Sequence, residues 1–346
     1  MGERLLLKAY RRLQAGINPE AEIGRYLTEV ARFPNVVPVA GTIEYVLDDG
    51  RSTTLALLEG YVDHQGDGWE YTLSHLDRFF EQPPTLPEPA PVAEAHGGYL
   101  ALARTLGVRT AELHAALART TGDAAFDPEP VTADDVAAWT QRVHREAEAA
   151  LDRLARRQAD LPEPARSAAA RMLAGRDAVL ARIDRHAADR PAGARTRLHG
   201  DYHLGQVLLV RNDFVIVDFE GEPTRSLAER REKQPALKDV AGMLRSFDYA
   251  LHVALDRAAG SRPEAPVARE RAGHAWRQEA RRMFLDGYEE VARRAGLASP
   301  RAEARGLLEL FLLEKALYEL GYELDNRPDW VRVPLRGLAD ILADAQ

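Results

Sequence analysis

The sequence contains no cysteine, which excludes disulfides, thiolate nucleophiles and cysteine metal sites and fits a reducing compartment. It has no apolar run near the roughly 20 residues that a membrane-spanning helix needs. Its first residues lack the charged-then-apolar layout of a secretory signal. The expectation is a cytoplasmic protein with no membrane partner. A positive surplus is missing too: the formal net charge is −8, which weighs against nucleic acid as a partner, because phosphate backbones call for a basic face. Gly66-Asp67-Gly68 belongs to no G-x-G-x-x-G run and has no Walker lysine, so it reads as a turn rather than a phosphate loop. His199 and His203 lack the partner spacing of a zinc site. There is no internal repeat.

What is present is a 346-residue chain, 45% hydrophobic and 29% charged, which suits a globular protein of two lobes or two small domains. Residues 1–62 read as sheet with one helix. Leu5-Leu6-Leu7 is an expected buried strand, Asn18-Pro19-Glu20 opens a helix with cap chemistry, and Thr42–Leu47 with Ser52–Leu58 form a hairpin around Asp48-Asp49-Gly50. The proline-dense stretch 83–91 reads as an exposed loop. Residues 63–346 read as mainly helical, over about 98–120, 132–159, 163–188, 236–258, 266–296 and 300–325, with one clear hairpin at 207–219. The fold class expected is therefore α+β and bilobal, a small β-containing N-terminal lobe on a large helical one.

The hairpin lies between two acidic motifs. His199-Gly200-Asp201 precedes it, Gln206 follows Asp201 by five positions, and Asp218-Phe219-Glu220 closes it. A loop acid, an amide at that interval and a second acid at a strand end match the catalytic loop and metal-binding acid of a kinase. Asp201 is the candidate carboxylate that accepts the proton of an attacking hydroxyl, while Asp218 and Gln206 are candidate Mg²⁺ ligands. Glu220 is open to either a metal-side or a solvated role. Lys8, ending an apolar strand, can hold nucleotide phosphates if a helix acid fixes it; Glu22 is the first candidate for that acid and Glu20 the second. Glu59, Tyr61 and Val62 fall where the two lobes join and are candidate ATP-contacting positions. His199 is expected to brace the loop backbone, and His203 is placed with the acceptor-binding set.

A second informative stretch is Glu314–Trp330. Tyr318 and Tyr322 share one helical face, as do Glu319 and Glu323, before Pro328 ends the helix. Aromatic faces with interleaved acids and an arginine suit a sugar, although a packed amphipathic helix has the same pattern.

These segments resemble maltokinase, of the aminoglycoside-phosphotransferase and protein-kinase-like family, in particular the maltokinase domain fused to trehalose synthase. The resemblance also runs through Lys8–Leu13, Gly16–Pro19, Gln65–Trp69 and Arg109–His114. It implies ATP with Mg²⁺ and phosphorylation of the anomeric hydroxyl of maltose. By the same resemblance Asp201 is the base, Gln206 and Asp218 bind metal, Lys8 binds phosphate, and Tyr318, Tyr322, Asn326, Arg327 and Trp330 recognise the sugar. Trehalose synthase is the implied partner, fused or in complex. Lys8 comes seven residues after Met1, so the cap region and phosphate-covering strands of that family are expected to be missing. Two other readings stay open: a kinase for another small alcohol or an amino sugar, and a weakly active or inactive module.

Overall fold

The computed structural model describes residues 4–48, 50–81, 92–261 and 266–343. Asp49 of the expected Asp-Gly turn and the proline-dense stretch 83–91 lie outside the described residues. Strands β1 (Leu5–Ala9), β2 (Val39–Val46) and β3 (Ser52–Gly60) form an antiparallel sheet in the order β1-β3-β2. Helix α1 (Pro19–Arg25) starts as the sequence predicts. Asn18 Oδ1 accepts from Ala21 N at 3.1 Å, and Pro19 occupies the first turn, where a missing N–H costs nothing. The helix then widens into a π turn over Tyr26–Val30. The expectation that Leu5–Leu7 is buried is corrected: these leucines are 55%, 49% and 55% exposed. The cause is position, since β1 is an edge strand that pairs with β3 alone.

The rest of the chain is mainly helical. Its helices are α2 (Gly68–Glu81), α3 (Val92–Leu117), α4 (Ala133–Arg157), α5 (Ala165–Ala174), α6 (Arg176–Asp184), α7 (Leu227–Arg231), α8 (Leu237–Ser261), α9 (Pro266–Ala295), α10 (Arg305–Asn326) and α11 (Arg332–Ala343). The six expected segments are present, with 163–188 broken at Gly175; α2, α7 and α11 were not anticipated. α4 opens on a reciprocal Thr132–Asp135 capping box. α8 is the central helix, with Val240, Met243, Leu244, Phe247 and Leu251 buried where it meets α2, α9, α10 and α11. α3 and α9 cross with backbones touching, because a Cβ on Gly107 would lie 1.9 Å from Phe284 O and one on Gly287 2.1 Å from Arg104 O.

Two small sheets complete this part. One joins β4 (Glu129–Pro130), β5 (Ala194–Thr196) and β8 (Gln234–Pro235), which the sequence reading missed; the other is the expected hairpin, β6 (Val207–Val210) and β7 (Asp213–Ile216). Its turn residues Arg211 and Asn212 both take positive φ, 50° and 64°, as a two-residue hairpin with native twist requires. The second strand ends at Ile216 rather than running to Phe219. Asp218, at φ 67°, turns the chain out of the sheet.

Candidate active site

The loop carrying Asp201 is held from beneath. His199 Nε2 donates to Val217 O at 2.8 Å, tying the loop to the strand that leads to Asp218. The backbone N–H groups of His199 and Gly200 donate to the two oxygens of Asp239, at 2.9 and 3.0 Å. Asp239 is fully buried in the first turn of α8. Burial alone would favour its neutral form, but His114, His199 and the Gly200 N–H carry its carboxyl below the usual range. Sequence reasoning missed this residue, since an acid directly after Lys238 carries no local signal of burial. The Arg109–His114 segment backs the loop as well. Thr110 Oγ1 meets Tyr202 OH at 2.9 Å, His114 Nε2 lies 3.3 Å from Asp239, and Arg109 makes a two-bond pair with Asp213 at 2.8 and 2.9 Å.

Asp201 lines a small cavity with Gly200, Glu222, Glu314, Lys315 and Tyr318. Lys315 Nζ donates to Asp201 Oδ1 at 2.9 Å. Burial would raise the Asp201 carboxyl, yet the charge of Lys315 and its hydrogen bond bring it below the ordinary aspartate value. His203 caps the turn 204–206 through Nδ1, which accepts from Gly205 N at 3.0 Å, and its Nε2 lies 3.9 Å from Asp201 Oδ2. Lys315 was not among the expected site residues, and a lysine beside a glutamate on a helix carried no signal that could have singled it out.

On the other side of the loop pair, Lys8 is surrounded by acids. Its ammonium lies 2.9 Å from Glu20, 2.6 Å from Asp218 and 2.7 Å from Glu220. Tyr10 OH donates to Glu20 Oε2 at 2.6 Å. Burial works against the lysine charge, but Glu20 and Asp218 hold its pKa well above the ordinary lysine value. The acid on Lys8 is therefore Glu20. Glu22, the first candidate, points elsewhere: it pairs with Arg197 at 2.8 Å and with Arg231 at 2.8 and 2.9 Å. Two residues along a helix is a turn of about 200°, which sends the two carboxylates to opposite sides.

Glu20, Asp218 and Glu220 each offer an oxygen within 4.8 Å of the others. Hard carboxylate oxygens in surplus over one ammonium are a donor set that fits Mg²⁺. Gln206 Nε2 donates to Asp218 Oδ2 at 2.8 Å, so its carbonyl oxygen is the end left for a cation. Glu59 sits at the end of β3 near this group, its carboxyl raised by burial and by Asp218 against the opposing pull of Lys8. Tyr61 and Val62 continue from it towards α2; Tyr61 is exposed, and its N–H donates to Arg4 O at 2.9 Å.

His203 is not among the residues that line the Asp201 cavity; of the other five expected sugar-contacting residues, Tyr318 lines it. The others extend outward from it. Tyr322 stacks on Tyr318 with centroids 6.5 Å apart, and the Arg327 guanidinium lies between the Tyr322 and Trp330 rings at 5.5 and 5.2 Å. Asn326 Nδ2 bonds to Tyr322 O in its own helix. The interleaved acids do not face a ligand. Glu319 accepts from Arg245, and Glu323 from Tyr249 and Arg327.

A strand lysine paired to a helix acid, with two loop acids on either side of a hairpin, is the working arrangement of a protein-kinase-like phosphotransferase, which uses ATP with Mg²⁺ to phosphorylate a hydroxyl. Comparison with known proteins places the chain within that class. No protein-family model matches it. A glucosamine kinase of Streptacidiphilus jiangxiensis is 31% identical over 355 residues, covering 99% of this chain and 70% of the relative. One of Mycolicibacterium smegmatis is 26% identical over 310 residues, covering 87% and 66%. The solved structure of a glucosamine kinase in complex with glucosamine, ADP and inorganic phosphate superposes with a TM-score of 0.76 at 27% identity, over 99% of this chain and 73% of that one. The chain belongs to the glucosamine kinase family. The kinase-like family expected from the resemblance holds, and these relatives do not extend it to maltokinase. Among the described residues no helix is long and apolar enough to cross a membrane.

Proposed function

We propose that the chain transfers the γ-phosphoryl group of ATP to a hydroxyl of a small sugar, and that the sugar is an amino sugar of the glucosamine class. The observation that carries the sugar-kinase reading is the Asp201 cavity, where a carboxylate able to take a hydroxyl proton shares its walls with Tyr318, Glu222 and Glu314. The acids in that wall are already paired, Glu222 with Arg225 and Lys315, and Glu314 with Lys238 and Arg142. The amino-sugar choice therefore rests on the identity with a glucosamine kinase over 99% of the chain.

A second reading takes maltose as acceptor. Its support is the aromatic surface that leaves the cavity at Tyr318 and continues through Tyr322, Arg327 and Trp330, a surface long enough to stack a second sugar ring. Association with trehalose synthase belongs to this reading and rests on the sequence resemblance alone.

ADP release measured with ATP, Mg²⁺ and each of glucosamine, maltose, glucose and N-acetylglucosamine tests both. Turnover with glucosamine well above glucose supports the amino-sugar reading. Turnover with maltose, lost in Trp330→Ala, replaces it with the disaccharide reading. Release unaffected by any sugar overturns both.

A further inference from the structure

Phosphoryl transfer spreads negative charge over the equatorial oxygens of the moving group, and cations fixed before the reaction lower its barrier. The loop that presents Asp201 supplies none: His199 to Gln206 contains no lysine or arginine, and the burial of His203 pushes its pKa down, so that it favours the neutral form. Lys8 stands on the far side, engaged by Glu20, Asp218 and Glu220. Three cations line the Asp201 cavity: Arg225 is bonded to Glu222 and Glu146 and Lys238 to Glu314, whereas Lys315 is the one bonded to Asp201 itself.

We propose that Lys315, delivered from α10, is the catalytic cation of the transfer: it holds Asp201 in place and binds an oxygen of the phosphoryl group as it passes to the acceptor. The inference rests on the phosphotransferase reading. Its geometry is direct. Nζ lies 2.9 Å from Asp201 Oδ1 and 3.4 Å from Glu222 Oε1, above the Tyr318 ring at 4.8 Å. An ammonium has three protons to donate, and among the described residues these two carboxylates are its hydrogen-bond acceptors, which leaves one N–H for a ligand in the cavity. Lys315 faces Asp201, Glu222 and, more distantly, Glu319; Asp201 faces Lys315, His203 and His199. In this arrangement the acceptor oxygen attacks the γ-phosphorus, the bond from that phosphorus to the β-γ bridging oxygen breaks, and ADP leaves. The hydroxyl proton passes to Asp201 Oδ2 and then to solvent, and Lys315 keeps its own proton throughout. Lys315 also explains how an acid of depressed pKa takes part: Asp201 aims the hydroxyl and receives its proton late, while the neighbouring cation meets the developing charge.

The test uses Lys315→Met, Lys315→Arg and Lys315→Ala, assayed both for sugar-dependent ADP release and for slow Mg·ATP hydrolysis with water as acceptor. Lys315→Met is expected to lose about 10²–10³-fold in kcat with the KM for ATP changed less than about threefold. Its acid limb in kcat/KM should move to higher pH, because Asp201 loses its main charge partner. Ethylamine should restore at least about tenfold of the Lys315→Ala loss, as a positioned cation predicts and a packing role does not. Lys315→Met with both activities within about threefold of the wild type, or Lys315→Ala folded, slow and indifferent to ethylamine, overturns the assignment. Failure of the sugar reading looks different: no sugar accelerates ADP release, while water-dependent hydrolysis still falls in Lys315→Met.

Discussion

Glu22 and Arg231 form a two-bond ion pair, 2.8 and 2.9 Å, that ties α1 to the segment following Asp218. Arg197, 1% exposed, donates to the same carboxylate at 2.8 Å. One acid of α1 thus fixes the helix while the other, Glu20, fixes Lys8. Removing one partner of a buried pair leaves the other charge uncompensated, at a cost of about 3–5 kcal/mol. Glu22→Ala is therefore expected to lower the urea unfolding free energy by about 3 kcal/mol and to weaken Mg·ATP binding, with Glu22→Gln in between. A loss below about 1 kcal/mol, in the range of an exposed pair, would show that α1 is held by packing instead.

Lys8 lies 2.6 Å from Asp218 and 2.7 Å from Glu220. A divalent ion brought with ATP competes with the ammonium for these carboxylates, so metal dependence should be steep. EDTA is expected to abolish turnover, and Mg²⁺ or Mn²⁺ to restore it. Asp218→Asn should raise the Mg²⁺ needed for half-maximal rate by at least about tenfold and cut kcat by about 10²-fold. An unchanged Mg²⁺ titration in that variant would remove Asp218 from the metal site.

Gly242 of α8 packs under the loop that presents Asp201 so closely that a Cβ there would lie 2.5 Å from Tyr202 O. The neighbour is backbone, so the loop itself must move. A displacement of about an ångström at a reacting group costs about 10²-fold in rate. Gly242→Ala should therefore reduce kcat far more than it reduces thermal stability, read from ADP release beside a melting curve. A variant that melts early but turns over normally once folded would refute this.

The motifs of the candidate site were legible because they are local in the chain. Asp201, Gln206 and Asp218 lie within one loop and hairpin, and the turn residues Arg211-Asn212 and the alternating strands mark where they sit. Contacts made across the fold were not legible. The sequence offers Glu20 and Glu22 as equivalent partners for Lys8, and only the rotation of α1 separates them. Asp239 and Lys315 reach the loop from helices 38 and 114 positions further along the chain, and nothing local distinguishes them from solvated charges. Burial of β1 was misjudged for a related reason: three leucines in a row specify a strand, whereas exposure depends on what packs against it.

His75 and His96 share one hydrogen bond, 2.9 Å between Nε2 and Nδ1, which a pair of neutral rings makes with a single proton between them. His75 stacks on Tyr99 and His96 lies against Phe79. Burial first, and for His75 also the charges of His96 and Arg78, pushes both pKa values down to about 4. The unfolded chain, with histidines near 6.5, then binds more protons than the folded one between about pH 4 and 6.5. Stability from this pair is fully present above pH 6.5 and is lost as pH falls towards 4, at up to about 1.4 kcal/mol per pH unit for each ring. His203 and His274 are shifted the same way, so the comparison that isolates the pair is His75→Phe/His96→Phe against the wild type. Between pH 6.5 and 5 the buried carboxyl of Glu20, raised to about 7, changes charge in both proteins, so the signature of the pair is the difference: the double variant should lose distinctly less melting temperature than the wild type. Parallel curves over that window would mean that the two rings are already protonated in the folded protein or never change charge on unfolding.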